Sequence, residues 1–215
     1  MKRPKDPRIA LAKLTLFSLC LLPFALLVWD VYRQTLGPDP VAVLERRSGD
    51  WALRLLLATL TVTPLRQITG LPVLLRFRRM LGLFAFFYAS LHLGIYLVID
   101  LGGFWRQLFD EIVKRPYITM GFLAWLMLVP LALTSTQAMM RRLGRHWSSL
   151  HKTVYLVGLC AVLHYLWLVK SGQKFANQEP LLYGVIYLVL MALRLPWSAL
   201  ARRLRTGTLP TRRPQ

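Results

Sequence analysis

An apolar segment at 147–170 (WSSLHKTVYLVGLCAVLHYLWLVK) limits what this chain can fold into more than any other feature. It is long enough to cross a bilayer as a helix, which takes about 20 apolar residues. It nevertheless contains two histidines, His151 and His164, and a third, His92, lies in a second apolar segment at 81–99. An ionisable side chain inside a membrane span is costly and indicates a functional site by default. The histidines are therefore the first candidates for function.

The composition is that of an integral membrane protein. The chain has 215 residues, of which 55% are hydrophobic, and a formal net charge of +19. So basic a soluble protein would suggest nucleic-acid binding, but hydrophobicity gathered into long segments indicates a membrane protein instead. Cys20 and Cys160 both lie in apolar segments and provide no disulfide framework. We predict an all-α integral membrane protein that contacts lipid and binds no nucleic acid.

Six apolar segments predict a six-transmembrane-helix bundle over 14–195, between a basic N-terminus (1–13) and a basic tail (196–215). The polar stretches 30–50 and 102–115 are predicted to be loops, because turn-forming glycines and prolines or clustered charges interrupt the apolar pattern there. The predicted spans are 14–29, 51–62, 80–99, 116–133, 148–169 and 180–195.

The second predicted span is too short to cross a bilayer by itself. Residues 51–62 cover about 18 Å as a helix, against a hydrocarbon core of about 30 Å. We therefore expect this helix to begin before Trp51 or to continue past Pro64 with a kink. The first span is expected to be retained rather than cleaved, because no small-residue cleavage site follows Trp29.

The distribution of lysine and arginine predicts that both termini are cytoplasmic. The N-terminus, the second and fourth connections and the tail together hold 19 basic residues and one acid, Asp6. The other side holds 9 basic residues and the remaining eight acids. Because cytoplasmic loops of membrane proteins carry an excess of lysine and arginine, the first set of segments is assigned to the cytoplasm.

His92 and His164 are predicted to lie at similar depth in the membrane. Each sits about 20 Å along a helix that begins at the cytoplasmic face. Two neutral imidazoles at one depth on neighbouring helices can occupy both axial positions of one heme iron. Alternatively, each histidine hydrogen-bonds a carbonyl or a hydroxyl inside the bundle. The residues by themselves leave both interpretations open.

His151, Arg78 and His146 are less determined. His151 precedes His164 by 13 residues, which puts it about 140° away on an ideal helix; a shared face would need a local distortion such as a π-bulge. Arg78 falls within about 40° of the face of His92. It is a candidate contact for a second heme, a propionate or a bound anion, or else an ordinary interfacial cation. His146 lies among arginines and is expected to be interfacial.

The sequence contains no dinucleotide, P-loop, C-x-x-C or metalloprotease motif. If this is a redox protein, its electron donor and final acceptor are therefore expected on other molecules. Two other functions stay open. One is a transporter or proton pathway that uses His151 and His164 as relays, and the other is a ferric reductase that acts directly on a soluble acceptor.

Three long blocks carry a family resemblance: 78–100 (RRMLGLFAFFYASLHLGIYLVID), 115–135 (RPYITMGFLAWLMLVPLALTS) and 143–170 (LGRHWSSLHKTVYLVGLCAVLHYLWLVK). The segment 61–70 (TVTPLRQITG) fits as well. Together they resemble the heme-binding membrane subunits of bacterial periplasmic methionine sulfoxide reductase systems, the MsrQ or YedZ type. These subunits belong to the ferric-reductase-like transmembrane superfamily. The resemblance covers about 51–195.

The resemblance implies one or two b-type hemes held by His92, His151 and His164, with FMN as a further cofactor. It implies a bacterial inner-membrane protein that passes electrons from the quinone pool or a cytosolic flavin reductase to a periplasmic, molybdopterin-containing catalytic subunit. The catalytic site would then lie on that partner. The wider superfamily commonly has two histidine pairs on the third and fifth helices for two hemes, and this chain departs from that pattern because Arg78 occupies the position of the inner histidine on the third helix.

Overall fold

A computed structural model describes residues 6–170 and 179–194, and these residues fold almost entirely into helices without a strand. A short 3₁₀ turn, Pro72–Leu74, leads into the third helix, and a π-helical turn, Tyr96–Asp100, ends it. The prediction of an all-α chain is confirmed. The α-helices are α1 Pro7–Tyr32, α2 Pro40–Thr69, α3 Leu75–Ile95, α4 Trp105–Lys114, α5 Pro116–Leu133, α6 Gln137–Leu143, α7 Arg145–His151, α8 Val154–Lys170 and α9 Glu179–Ala192.

Within the described residues, four helical stretches are long and apolar enough to cross a membrane: Pro7–Tyr32, Pro72–Asp100, Pro116–Leu133 and Arg145–Val169. They correspond to the first, third, fourth and fifth predicted spans. The other two predicted spans fall on α2, a helix of 30 residues with charged side chains in its first half, and on α9, a shorter apolar helix. The six-span arrangement stays a prediction for those two.

The structure corrects two predicted loops. Residues 30–50 are not a loop throughout, because α2 begins at Pro40, where the Asp39 side chain accepts a hydrogen bond from the Ala42 N–H at 3.1 Å. An Asp–Pro pair can begin a helix as well as a turn, and here it begins α2. The predicted loop 102–115 contains the short helix α4. Its clustered charged residues lead to the prediction of a loop. As expected, α2 starts before Trp51 and continues past Pro64.

The core of the bundle lies where α2, α3, α5, α8 and α9 meet. α2 packs along α3 and α5 packs along α8, and these are the two most extensive helix pairs. Leu60, Tyr88 and Val157 are fully buried between them. Gly158 lets α9 come close, since a Cβ there would lie 2.7 Å from the Tyr187 ring. Small residues at helix contacts are the usual means of close packing in membrane proteins.

Tyr88 ties α3 to the part of α1 around Pro23. Its hydroxyl donates to the Cys20 carbonyl at 2.8 Å and accepts from the Phe24 N–H at 2.9 Å. In a regular helix this N–H would bond that carbonyl directly, four residues back. Pro23 lies between the two and disturbs the helix. The phenol therefore hydrogen-bonds two backbone groups for which no water is available inside a bilayer.

We predict that Tyr88→Phe lowers the free energy of unfolding by about 1–3 kcal/mol, because it leaves a buried N–H and a buried carbonyl without their bridge. Thermal unfolding of the purified protein in detergent, followed by tryptophan fluorescence, measures this loss. Tyr32→Phe is the matched control, since Tyr32 on the same helix as Pro23 is 78% exposed. Equal melting temperatures for the two variants would contradict the role of the bridge.

Candidate functional site

His92 on α3 and His164 on α8 face each other in the interior of the bundle. The centroids of their imidazole rings are 6.2 Å apart and the ring planes meet at 71°. The two side chains thus come together as the predicted similarity of depth requires. Two metal–nitrogen bonds of about 2 Å each, one from either ring, need a centroid separation of about 6 Å. The spacing fits one metal ion between the rings.

Each histidine is fixed by a backbone carbonyl on a neighbouring helix. His92 Nδ1 donates to the Glu45 carbonyl on α2 at 2.9 Å, and His164 Nδ1 donates to the Tyr117 carbonyl on α5 at 2.7 Å. Because a carbonyl can only accept, a neutral ring so bonded carries its proton on Nδ1 and keeps the Nε2 lone pair for a ligand. Metal-bound histidines are commonly held this way. The two interpretations left open by the sequence are therefore compatible.

A glycine lies four residues after each of these carbonyls and makes room for the ring. A Cβ at Gly49 would lie 3.2 Å from the His92 ring, and a Cβ at Gly121 would lie 2.8 Å from Nδ1 of His164. The same arrangement, a carbonyl followed by a glycine one turn later, thus recurs on α2 and on α5. Sequence reasoning missed it, although small residues commonly mark close helix contacts in membrane proteins.

The two rings line a cavity of about 550 Å³ between α2, α3, α5 and α8. Cofactor sites typically enclose about 300–1,000 Å³. Its inner wall is apolar, which keeps water away from whatever occupies it, and its mouth is charged. The apolar wall includes Leu53, Leu56, Ala85, Ala89, Leu93, Phe122, Leu128, Val157 and Ala161, and the charged mouth includes Asp39, Glu45, Arg46, Asp50, Asp100 and Arg115.

The donor set fits a metal that is already held by a macrocycle. Among residues 6–170 and 179–194, no group of three or more His, Cys, Asp or Glu side chains could hold a bare metal ion. His92 and His164 would supply one nitrogen each, as the two axial histidines of a heme protein do. An iron porphyrin supplies the other four bonds itself. The pair and its cavity therefore fit a heme.

Cationic side chains at the mouth of the cavity are engaged with acids and a phenol. Arg115 pairs with Glu111 at 2.7 Å and donates to the Tyr117 hydroxyl at 3.1 Å. The hydrogen bond to that hydroxyl raises the pKa of the Arg115 guanidinium. Arg46 lies 3.6 Å from Glu179. The Glu45 side chain has one buried oxygen without a hydrogen-bond partner.

The structure keeps His151 apart from the paired histidines. A break after α7 separates it from α8, and it does not line the cavity of His92 and His164. Its ring stacks on Trp147 with the centroids 4.0 Å apart, and its Nδ1 donates to the Trp147 carbonyl at 3.2 Å. Its Nε2 is buried without a hydrogen-bond partner.

Arg78 and His146 also lie outside the cavity. Arg78 is half-buried in the first turn of α3 and lies close enough to His151 to repel a positive charge on that ring. His146 is exposed on α7. Of the four predicted site residues, the structure therefore brings His92 and His164 together at one end of the bundle, and His151 and Arg78 near each other at the other end.

Comparison with known proteins identifies the family. Residues 48–162 match the sequence model of the ferric reductase like transmembrane component. The chain belongs to this family. The matched segment contains His92 and His151 and the greater part of the helices that line the cavity, and it ends two residues before His164.

Relatives of known name match nearly the whole chain. A protein of Xanthomonas campestris pv. campestris (strain 8004) is 56% identical over 209 residues, which are 94% of each chain. One from Xanthomonas axonopodis pv. citri (strain 306) is 54% identical over 206 residues, 93% of this chain and 92% of the relative. A protein of Herminiimonas arsenicoxydans is 42% identical over 196 residues, 91% and 89% of the two chains. Each relative is named "Protein-methionine-sulfoxide reductase heme-binding subunit MsrQ", so the predicted resemblance to the MsrQ type is confirmed.

We predict that Gly121→Ala weakens the site. The added methyl group meets the His164 ring at 2.8 Å, so the ring must move away from the Tyr117 carbonyl. Loss of a partner that orients a metal ligand typically costs about 10–100-fold in affinity. Heme titration of the purified variant measures the change. Gly94→Ala on α3 is the matched control, since nothing lies within 4 Å of a Cβ there. Equal affinity in both variants would contradict the packing argument.

Proposed function

We propose that this chain is a membrane cytochrome b subunit that passes electrons across the bacterial inner membrane to a separate methionine sulfoxide reductase. The observation that carries the proposal is the pair His92 and His164, with rings 6.2 Å apart in an apolar cavity. The relatives' shared name, which includes "heme-binding subunit", supports it. The proposed role is electron transfer, with the catalytic site on the partner.

His92 and His164 are the proposed axial ligands. A heme held by these two residues would supply one-electron oxidation and reduction, which is the chemistry that such a subunit needs. The carbonyls of Glu45 and Tyr117 hold each imidazole in the tautomer whose Nε2 is free to bind iron. Because these bonds come from α2 and α5, both ligands are positioned by the packing of the bundle rather than by a loop.

The remaining wall of the cavity supports the same role. Leu56, Ala85 and Val157 line its apolar part and exclude water from the space around the rings. Arg46 and Arg115 line its charged mouth and are the cations suited to hold the carboxylates of a heme. Removing either arginine would weaken binding without touching an axial ligand.

The proposed topology puts the paired histidines on the outer side. With six spans and both termini in the cytoplasm, the N-terminal ends of α2 and α5 and the C-terminal ends of α3 and α8 face the periplasm. His92 and His164 lie towards those ends. Eight of the nine acidic residues also belong to that side, and the arginines cluster on the other. This arrangement favours electron release on the periplasmic side.

The proposed partner is a periplasmic reductase that carries a molybdopterin and repairs oxidised methionines. The family resemblance supports this assignment, and it also favours the quinone pool or a cytosolic flavin reductase, with FMN, as the electron source. We propose that electrons arrive from the arginine-rich cytoplasmic side.

We predict that His92→Ala and His164→Ala each remove most of the heme while the protein still inserts into the membrane. The pyridine hemochrome assay on purified protein measures heme per chain. His146→Ala is the control, because this histidine is exposed on α7 and should retain full heme. A full heme content in both cavity variants would contradict the assignment of His92 and His164 as heme ligands.

The electron-transfer role has its own test. Reduced wild-type protein should be reoxidised only when both the periplasmic reductase and methionine sulfoxide are added, as followed by visible absorption. Rapid reoxidation by a ferric chelate without any partner would instead favour the direct ferric reductase. A colourless protein that carries protons in liposomes would favour the histidine-relay transporter.

A further inference from the structure

The short helix α4 presents three different stripes of side chains. One is packed on the bundle, one is apolar and exposed, and one is charged and exposed. In the apolar stripe, Phe109 is 71% exposed and Val113 is 85% exposed. The stripes are Leu108 and Ile112, then Phe109 and Val113, then Asp110 and Lys114, each about 100° around the helix from the one before.

The packed stripe fixes α4 against the bundle at the level where α5 begins. Leu108 is buried and lines the wall of the histidine cavity. The Thr119 hydroxyl donates to the Ile112 carbonyl at 2.5 Å. Thr119 belongs to the membrane span Pro116–Leu133, so the end of α4 lies beside the first turn of a span. α4 is therefore part of the bundle rather than a loop that projects from it.

Both ends of α4 are tied to the ends of membrane spans. The span Pro72–Asp100 ends shortly before α4 begins, and the span Pro116–Leu133 starts directly after the residue that follows α4. Both ends of the helix therefore lie at the same membrane surface. A helix of 10 residues is about 15 Å long, and these short connections keep it close to that surface.

The exposed apolar stripe follows lipid-facing side chains along the chain. Val98 and Ile99, at the end of the preceding span, are 65% and 49% exposed. Phe104, directly before α4, is 65% exposed. Exposed apolar patches mark either a protein contact or a membrane contact. At the level of the span ends, next to lipid-facing residues, the bilayer is the partner that the position favours.

We propose that α4 is an interfacial helix that binds the bilayer surface through Phe109 and Val113. These side chains insert into the leaflet in which α3 ends and α5 begins, while Asp110 and Lys114 stay in water. Helices with one apolar and one charged face bind at the boundary between headgroups and acyl chains in this way. Since Leu108 on the same helix lines the histidine cavity, the helix that contacts lipid is also a wall of that cavity. The proposal does not depend on what the cavity binds.

Cysteine labelling of the full chain in phosphatidylcholine nanodiscs tests the proposal. A sulfonated, water-soluble maleimide should label Asp110→Cys and Lys114→Cys about tenfold faster, or more, than Phe109→Cys and Val113→Cys. The reason is that a thiol within the bilayer is shielded from the reagent and ionises less readily. The charged positions are matched controls, because they are exposed on the same helix.

The wild-type protein gives the background of the labelling experiment, since both native cysteines, Cys20 and Cys160, are buried. Each variant should keep the melting temperature of the wild type, because the replaced side chains are exposed. A nitroxide attached to Val113→Cys provides a second measurement. Its spin relaxation should respond more to oxygen than to a water-soluble nickel chelate, and the order should reverse for Lys114→Cys.

The labelling rates also identify a different partner. If the apolar and the charged positions react equally fast in nanodiscs, the apolar stripe faces water and the proposal is overturned. If the apolar positions then become slow only after the separate methionine sulfoxide reductase is added, the stripe is a protein-docking surface instead. Slow labelling at all four positions would also overturn the proposal, because the charged stripe would then not be in water.

Discussion

Two hydrogen bonds from imidazole to backbone set the geometry on which the site depends. His92 bonds the Glu45 carbonyl and thereby links α3 to α2; His164 bonds the Tyr117 carbonyl and links α8 to α5. These are also the two most extensive helix pairs of the bundle. A membrane interior offers no water to a ring nitrogen, so each bond is needed wherever the ring is buried. The cavity is the space that remains where the two linked pairs meet.

The same rule governs the backbone defects that proline creates. Pro23 disturbs α1, and the Tyr88 hydroxyl bridges the resulting gap; Pro64 leaves the Leu60 carbonyl without a donor, and Arg194 supplies one. In both cases a side chain from another part of the chain completes the hydrogen bonding. The bundle thus uses its helix defects as points of attachment.

The paired histidines could be predicted because depth along a helix follows from residue number and charge placement alone. Their carbonyl partners could not, since a backbone carbonyl has no sequence signature. Glu45 was hidden further by the prediction of a loop at 30–50, where Pro40 reads as a turn residue but begins α2. Gly121 was detectable in principle as a glycine inside an apolar helix, yet only the packing shows which ring it accommodates.

His151 illustrates the other limit of sequence reasoning. The 13-residue spacing to His164 is measured along an unbroken helix, whereas the chain breaks between α7 and α8. Whether His151 faces Arg78 on α3 therefore depends on the conformation of the two turn residues between α7 and α8, and not on helical periodicity. The short-range contact that does hold it is the stack on Trp147, a residue one turn earlier.

The most direct test of the central claim is the electron paramagnetic resonance spectrum of the oxidised, purified protein. Ligation by His92 and His164 predicts a low-spin ferric heme. Because the two ring planes meet at 71°, its signal should be of the strongly anisotropic kind given by nearly perpendicular imidazoles, and it should disappear in His164→Ala. A high-spin ferric signal in the wild type, or a low-spin signal that survives in His164→Ala, would contradict the account.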